Sequence, residues 1–187
     1  SSFGAGPRPR VIAPSNLDGD GDADLVTANS GGDSASVALN SGEGTFATRV
    51  DYGAGDAPQS VALGDLDGRH GLDIVVANGL SDNASVLLNN GDGTFAPRAN
   101  YPAGDGPTSV ALEDLDVDGD LDMVVVSYNS ASASVLLNYG DGAFAPRIDH
   151  AAGGAPQSVA LGDVDGDARA DMVVANQLGN TASVLLN

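Results

Sequence analysis

Short apolar runs recur along the chain, each bounded by Gly, Asn, Asp or Ser. Examples are Ile74-Val-Val-Ala77, Val86-Leu-Leu88, Met123-Val-Val-Val126 and Val135-Leu-Leu137. None has the three-and-four apolar spacing of an amphipathic helix, so each is read as a strand. The runs are almost continuously apolar, whereas a strand with one wet face would alternate, so these strands are expected to be covered on both faces. In one stretch the predicted strands are 60–63, 73–77, 84–88 and 95–101, with Asn90-Gly-Asp-Gly93 as a tight turn between the last two.

The same arrangement returns every 49 residues, from first positions 16, 65, 114 and 163. The repeat divides the chain into units 41–89, 90–138 and 139–187, preceded by a shortened unit 1–40 that lacks the counterpart of 41–49. No separate linker or second domain is visible, so 1–187 is read as one domain. A period near 49 with four strands fits the blade of a β-propeller, in which each small antiparallel sheet buries both faces against its neighbours. The fold class expected is all-β, a β-propeller of four-stranded antiparallel blades. The first strand should lie innermost, because Ala62, Ala111 and Ala160 suit a crowded centre and Pro14 is tolerated on a strand with one unpaired edge.

Charge adds a second layer. The 187 residues carry 26 Asp and Glu against 7 Lys and Arg, for a net charge of -19. Sixteen of these acids fall in four loops between the first and second strands. A hydrophobic fraction of 42% argues for a folded protein over an acidic disordered one. No basic stripe exists to neutralise phosphates, so nucleic acid is not an expected partner. There is no cysteine, hence no disulfide or thiolate chemistry. No apolar run approaches the roughly 18 residues that span a bilayer, and no charged-then-apolar signal segment opens the chain.

The loops read Asn16-Leu-Asp-Gly-Asp-Gly-Asp-Ala-Asp24, Asp65-Leu-Asp-Gly-Arg-His-Gly-Leu-Asp73, Asp114-Leu-Asp-Val-Asp-Gly-Asp-Leu-Asp122 and Asp163-Val-Asp-Gly-Asp-Ala-Arg-Ala-Asp171. Acidic side chains at positions 1, 3, 5 and 9 can converge on one point, and several carboxylate oxygens around one point suit a hard cation, above all calcium. The third loop is expected to be the best site, with Asp114, Asp116, Asp118 and Asp122 as carboxylates and the Asp120 carbonyl completing the shell. The first uses Asn16, Asp18, Asp20, Asp24 and the Asp22 carbonyl, and is expected to bind somewhat more weakly. The fourth uses Asp163, Asp165, Asp167, Asp171 and the Arg169 carbonyl, with Ala168 where glycine would ease a left-handed turn. The second keeps Asp65, Asp67 and Asp73, but Arg69 replaces the fifth-position ligand. That loop is expected to be weak or empty, with the Arg69 head paired to Asp65 or Asp73. About three strong Ca2+ sites are therefore expected, which would bring the formal charge to about -13. The twelfth loop positions, Thr27, Val76, Val125 and Val174, exclude an EF-hand.

The block Pro107-Thr-Ser-Val-Ala-Leu-Glu-Asp-Leu-Asp-Val-Asp-Gly-Asp-Leu-Asp-Met-Val-Val-Val126, followed by Ser134-Val-Leu-Leu-Asn-Tyr-Gly-Asp-Gly142, resembles the FG-GAP/VCBS repeat family over essentially the whole chain. The resemblance implies a calcium-binding propeller of the kind in integrin heads, fungal lectins and secreted bacterial proteins, with the loop positions above as ligands. Such propellers commonly have seven blades, so four repeats leave ring closure open.

The function this suggests is an extracellular or cell-surface module for binding or adhesion, lectin-like, with structural calcium and a glycan or protein ligand. The alternative is a self-assembling scaffold joined by strand complementation: residues 1–6 match the tail of a fourth strand, while the last unit stops one strand short. Coverage of the 182–186 edge by residues 1–6 of the same chain is the expectation. A glycan-active enzyme is the least favoured reading, and catalysis is not expected. His70 and His150 occupy non-equivalent positions, and no nucleophilic triad or phosphate loop is present. Tyr52 and Tyr101, matched by Phe3 and His150, are packing residues or a sugar-stacking ledge, and Asn83-Ala-Ser85 is a glycosylation sequon.

Overall fold

The computed structural model describes residues 4–187 apart from His70. Among the described residues there are fifteen strands and no helix, hence none long and apolar enough to cross a membrane. The first sheet comprises β1 (Pro9–Ser15), β2 (Asp24–Asn29), β3 (Ser34–Ala38) and β4 (Val50–Gly53). The second comprises β5 (Pro58–Gly64), β6 (Asp73–Asn78), β7 (Asn83–Leu87) and β8 (Ala99–Pro102). The third comprises β9 (Pro107–Glu113), β10 (Asp122–Ser127), β11 (Ser132–Leu136) and β12 (Ile148–Ala151). The fourth has three strands, β13 (Pro156–Gly162), β14 (Asp171–Asn176) and β15 (Thr181–Leu185). Within each sheet the strands lie in chain order and pair antiparallel.

Burial explains the apolar runs. β6 and β10 are buried at every residue, because both faces of their sheets are covered by neighbours. Val26, Ala28 and Val37 of the first sheet pack on Val61, Ile74 and Val76 of the second, and the pattern recurs between the second and third and between the third and fourth. Consecutive sheets approach mainly through their first strands, β1 on β5, β5 on β9 and β9 on β13. Among the described residues β1 pairs with β2 alone, and this free edge accommodates Pro14.

One expectation changes. The outer strands are shorter than predicted: the fourth of the second sheet begins at Ala99, not at residue 95. Phe95 bridges to Asn89 and Ala99 pairs with Val86, so residues 87 and 88 oppose the three residues 96–98. The extra residue is a bulge, and it lets the Phe95 ring turn inward between sheets. Ring closure, which the repeats left open, is not shown. β13 and β1 do not pack as consecutive first strands do. Ile12 is consequently 52% exposed, where its counterparts Val61, Val110 and Val159 are 6–8% exposed. The expected coverage of the last edge falls partly on residues 1–3, which lie outside the described residues. Of the rest, Gly4 adjoins Arg49, just before β4, and Gly6 adjoins Asn29 of β2, and among the described residues β15 pairs only with β14.

Candidate metal centre

Each acidic loop connects the first strand of a sheet to the second, and its shape is set by short side-chain-to-backbone hydrogen bonds. In the third loop Asp114 accepts from Val117 N at 2.8 Å and Gly119 N at 3.0 Å, and Asp118 accepts from Asp120 N at 2.9 Å. The fourth loop repeats this, with Asp163 accepting from Gly166 N and Ala168 N. In the first, Asn16 Oδ1 accepts from Gly19 N at 2.9 Å. These are Asx turns, in which the carboxylate substitutes for a backbone acceptor.

Such turning requires left-handed backbone at loop positions 4 and 6. Glycine occupies most of these places, as at Gly19, Gly21, Gly68 and Gly119. Ala168 does adopt the left-handed conformation its position demands, with φ 69. Val117, at φ 65, is the residue least suited to it, because a β-branched side chain crowds the carbonyl there. The third loop, expected to be the best, thus carries a local strain that motif spacing did not reveal.

In the second, third and fourth loops, carboxylate oxygens from positions 1, 3 and 9 lie within 4.8 Å of one another: Asp65, Asp67 and Asp73; Asp114, Asp116 and Asp122; Asp163, Asp165 and Asp171. The donors are all oxygen, so each triplet could hold a hard cation. Position 5 behaves differently from the expectation. Asp118 and Asp167 stand outside these triplets, each accepting from the backbone two residues on. Asp20 has the same bond, to Asp22 N at 2.8 Å, and in the first loop the amide oxygen of Asn16 takes the place of a first carboxylate. Asp22, Asp120 and Arg169, whose carbonyls were the expected seventh-position ligands, lie in the same turns.

The second loop also differs from its expected picture. It keeps Asp65, Asp67 and Asp73 together as expected, and as the third and fourth loops keep theirs, but among the described residues Arg69 forms no ion pair with Asp65 or Asp73. The reason is exposure: Arg69 is solvated, and a pair at the surface is worth about 0–1 kcal/mol, too little to order its side chain. The reading of His70 lies outside the described residues.

Position 9 has a second role that the spacing did not disclose. Asp24, Asp73, Asp122 and Asp171 are buried, and both oxygens of each accept a backbone N–H. Asp122 takes Leu115 N at 2.9 Å and Asn138 N at 2.8 Å, tying the start of the loop to the end of β11. Burial pushes the Asp73 carboxyl up to about 6 against the two N–H groups that favour its charge, with Asp67 and Asp65 raising it further. Burial likewise raises Asp122, whereas at Asp171 the N–H groups of Asn187 and Val164 dominate and lower it. A cation in the triplet would favour the charged form in every case.

Asparagines at the end of each third strand fasten the loops across sheets. Asn89 Nδ2 donates to Leu17 O at 2.8 Å and Asn138 Nδ2 to Leu66 O at 2.8 Å, each clasping the loop of the preceding sheet, and Asn187 does the same to Leu115 O. The signal was in the sequence, as Asn40, Asn89, Asn138 and Asn187 share the 49-residue period. Tyr52 and Tyr101 are packing residues, meeting Phe95 and Phe144 edge-on with ring centroids 5.2 Å apart. Asn83, the sequon residue, has its amide engaged with Ser81 O and Asn78.

The model of the FG-GAP-like repeat matches residues 16–76, 70–125 and 114–174. The chain belongs to the FG-GAP-like repeat family. No curated protein matches it. Among solved structures, BBS1N in complex with ARL6DN superposes with a TM-score of 0.63 at 15% identity, covering 98% of this chain and 57% of that one. A lectin from Agrocybe aegerita, solved for its recognition of non-reducing terminal N-acetylglucosamine, superposes with a TM-score of 0.62 at 23% identity, covering 96% and 52%. The likeness is one of fold, these neighbours are β-propeller-type proteins, and the FG-GAP repeat chain spans little more than half of each.

Proposed function

We propose that this FG-GAP repeat chain is a calcium-binding, extracellular β-propeller module that acts in binding or adhesion, with a glycan or protein as ligand and with calcium in a structural role. The observation that carries the reading is the threefold recurrence of oxygen-only triplets at positions 1, 3 and 9, each joining the first and second strands of a sheet. Bound cations would offset the repulsion of a chain at -19 and lock the loops that the asparagine clasps join across sheets. Affinities typical of extracellular calcium modules motivate the location. The likeness in fold to a lectin and to a protein-binding complex supports a recognition role. Grooves between outer strands offer surfaces for it, such as the cavity of about 550 Å3 lined by Tyr52, Phe95, Arg98 and Asn100, which recurs one period later beside Tyr101, Phe144 and Arg147. No catalytic role is proposed, since the buried carboxylates are engaged by backbone N–H groups.

Calorimetric titration of the chelator-treated chain with calcium tests the metal, and glycan and protein arrays probed with and without calcium test the ligand. Absence of calcium binding at millimolar concentration would remove the central part. The second reading, a scaffold joined by strand complementation, draws on β15, which among the described residues pairs with β14 and leaves Val184 52% exposed. Sedimentation of the calcium-loaded chain over a range of concentrations separates the two, because only a scaffold grows with concentration.

A further inference from the structure

Three arginines occupy one place in the repeat, just before the outermost strand of a sheet: Arg49, Arg98 and Arg147. Each is followed two residues later by a polar residue on that strand. In the first sheet Arg49 holds Asp51 with two nitrogens, Nε on Oδ1 at 2.9 Å and Nη2 on Oδ2 at 3.4 Å. In the third, Arg147 Nε donates to Asp149 Oδ2 at 3.0 Å and its Nη1 to Ala103 O. The second sheet differs in one group. Asn100 stands where the others have aspartate, and among the described residues Arg98 makes no hydrogen bond and no ion pair.

The orientation of Asn100 is fixed from behind. Ser85 Oγ accepts from Asn78 Nδ2 at 2.9 Å and from Gly55 N at 3.2 Å, so its single hydrogen is directed to Asn100 Oδ1 at 2.9 Å. The Nδ2 group of Asn100 is thereby left as a second donor in the groove that Arg98 lines.

A further departure opens that groove. Gly53 of β4 lies across the junction from Arg98, whose Nη1 comes within 2.9 Å of where a Cβ at residue 53 would sit. One period later the same position is Pro102, which forms part of the wall. The groove holds about 550 Å3 beside Arg98 and about 410 Å3 beside Arg147. Apart from Arg98 and Asn100 its lining is Tyr52, Phe95, Pro97 and small or aliphatic residues, with no acidic side chain.

We infer that the groove between the first and second sheets binds an acidic peptide, taking an aspartate carboxylate on Arg98 and Asn100 and an adjoining apolar side chain against Tyr52 and Pro97. The ligand chemistry is argued from the chain itself, because the guanidinium at this place holds an aspartate in both other sheets where it recurs. A planar guanidinium with two nitrogens on one carboxylate is also the strongest form of such a contact. A peptide is favoured over a sugar by the lining: each sugar hydroxyl calls for an acceptor as well as a donor, and this groove offers donors beside apolar walls. The inference rests on the recognition reading above and narrows it at this one groove. It does not depend on where the chain begins or ends.

The test uses the 187-residue chain in millimolar calcium, with a fluorescently labelled Gly-Leu-Asp-Leu-Gly peptide blocked at both ends and its Gly-Leu-Asn-Leu-Gly control. Fluorescence anisotropy should show saturable binding of the aspartate peptide, at least tenfold weaker binding of the asparagine peptide, and weakening as salt is raised. Arg98→Gln should reduce binding at least tenfold. Asn100→Asp should do the same by giving Arg98 an internal partner, and because it reproduces the pair of the first and third sheets it should keep the melting temperature of the parent. If Arg98→Gln fails to fold, Asn100→Asp decides. No saturable binding, equal binding of the two peptides, or unchanged binding by Asn100→Asp would overturn the inference. Displacement of the peptide by glucuronate at lower concentration than by blocked aspartate would make a sugar acid the occupant and overturn the choice of peptide. Glycan or protein binding that persists in Arg98→Gln while the peptide fails to bind would overturn this inference and leave the recognition reading in place.

Discussion

Replacing Asp122 separates the two roles that position 9 combines. Its carboxylate is fully buried and accepts Leu115 N at 2.9 Å and Asn138 N at 2.8 Å. Hydrogen bonds to a charged group contribute about 1.5–3 kcal/mol each, and a buried N–H left without a partner costs about 1–3 kcal/mol. Two such bonds set an upper range of about 3–6 kcal/mol. Burial of the charge, which raises the carboxyl, offsets part of that, leaving about 3 kcal/mol. For a chain of this size, 1 kcal/mol moves Tm by about 2–4 °C, so Asp122→Ala should melt roughly 6–12 °C lower even in chelator. Asp122→Asn keeps one acceptor and should lose about half as much. Asp116→Ala is the contrast: Asp116 is exposed and among the described residues accepts Asp118 N alone, at 3.3 Å, so its loss in chelator should stay within about 0.5 kcal/mol. The assay is thermal melting by circular dichroism with chelator and with calcium. If Asp122→Ala and Asp116→Ala melt together in chelator, the buried carboxylate is not a clamp and the argument fails.

Calcium should raise Tm of the parent chain by mass action, since the triplets form only on folding; coincident melting curves with chelator and with millimolar calcium would refute this. Val117→Gly should raise Tm by about 2 °C, because release of left-handed strain, about 1–2 kcal/mol, exceeds the roughly 0.4–1 kcal/mol of extra chain freedom at this exposed position; a lower Tm would contradict the strain. Asn138→Ala should cost about 1–3 kcal/mol by leaving Leu66 O without its donor from the next sheet, read as a lower urea midpoint at unchanged slope. The Arg49 guanidinium and then the Ser36 hydroxyl hold the Asp51 carboxyl below its usual value. A lowered folded-state pKa gives stability that is present above 3.8 and lost as pH falls through the folded value. Asp51→Asn should therefore lower stability at pH 7 by less than about 1 kcal/mol for so exposed a pair and flatten the acid limb below pH 4; an unchanged acid limb would refute it.

Strand identity and the 49-residue period were legible in the sequence because two-sided burial leaves an uninterrupted apolar run, and turn residues cannot be hidden in it. The acidic loops were legible for a similar reason, since alternate carboxylates beside glycine have few uses other than turns and cations. What the tertiary structure alone decided depends on contacts between distant residues. That Asp122 clamps Leu115 to Asn138 requires the end of β11 to lie beside the loop, a proximity no local spacing encodes. Val117 reads as an ordinary apolar residue until the backbone around it is seen to be left-handed. Arg69 looked like a built-in counter-ion, but its reach is decided by solvent, not by position. The exposure of Ile12, whose counterparts Val61, Val110 and Val159 are buried, was likewise not legible, because it depends on which sheet lies against β1 and equal repeats carry no record of that.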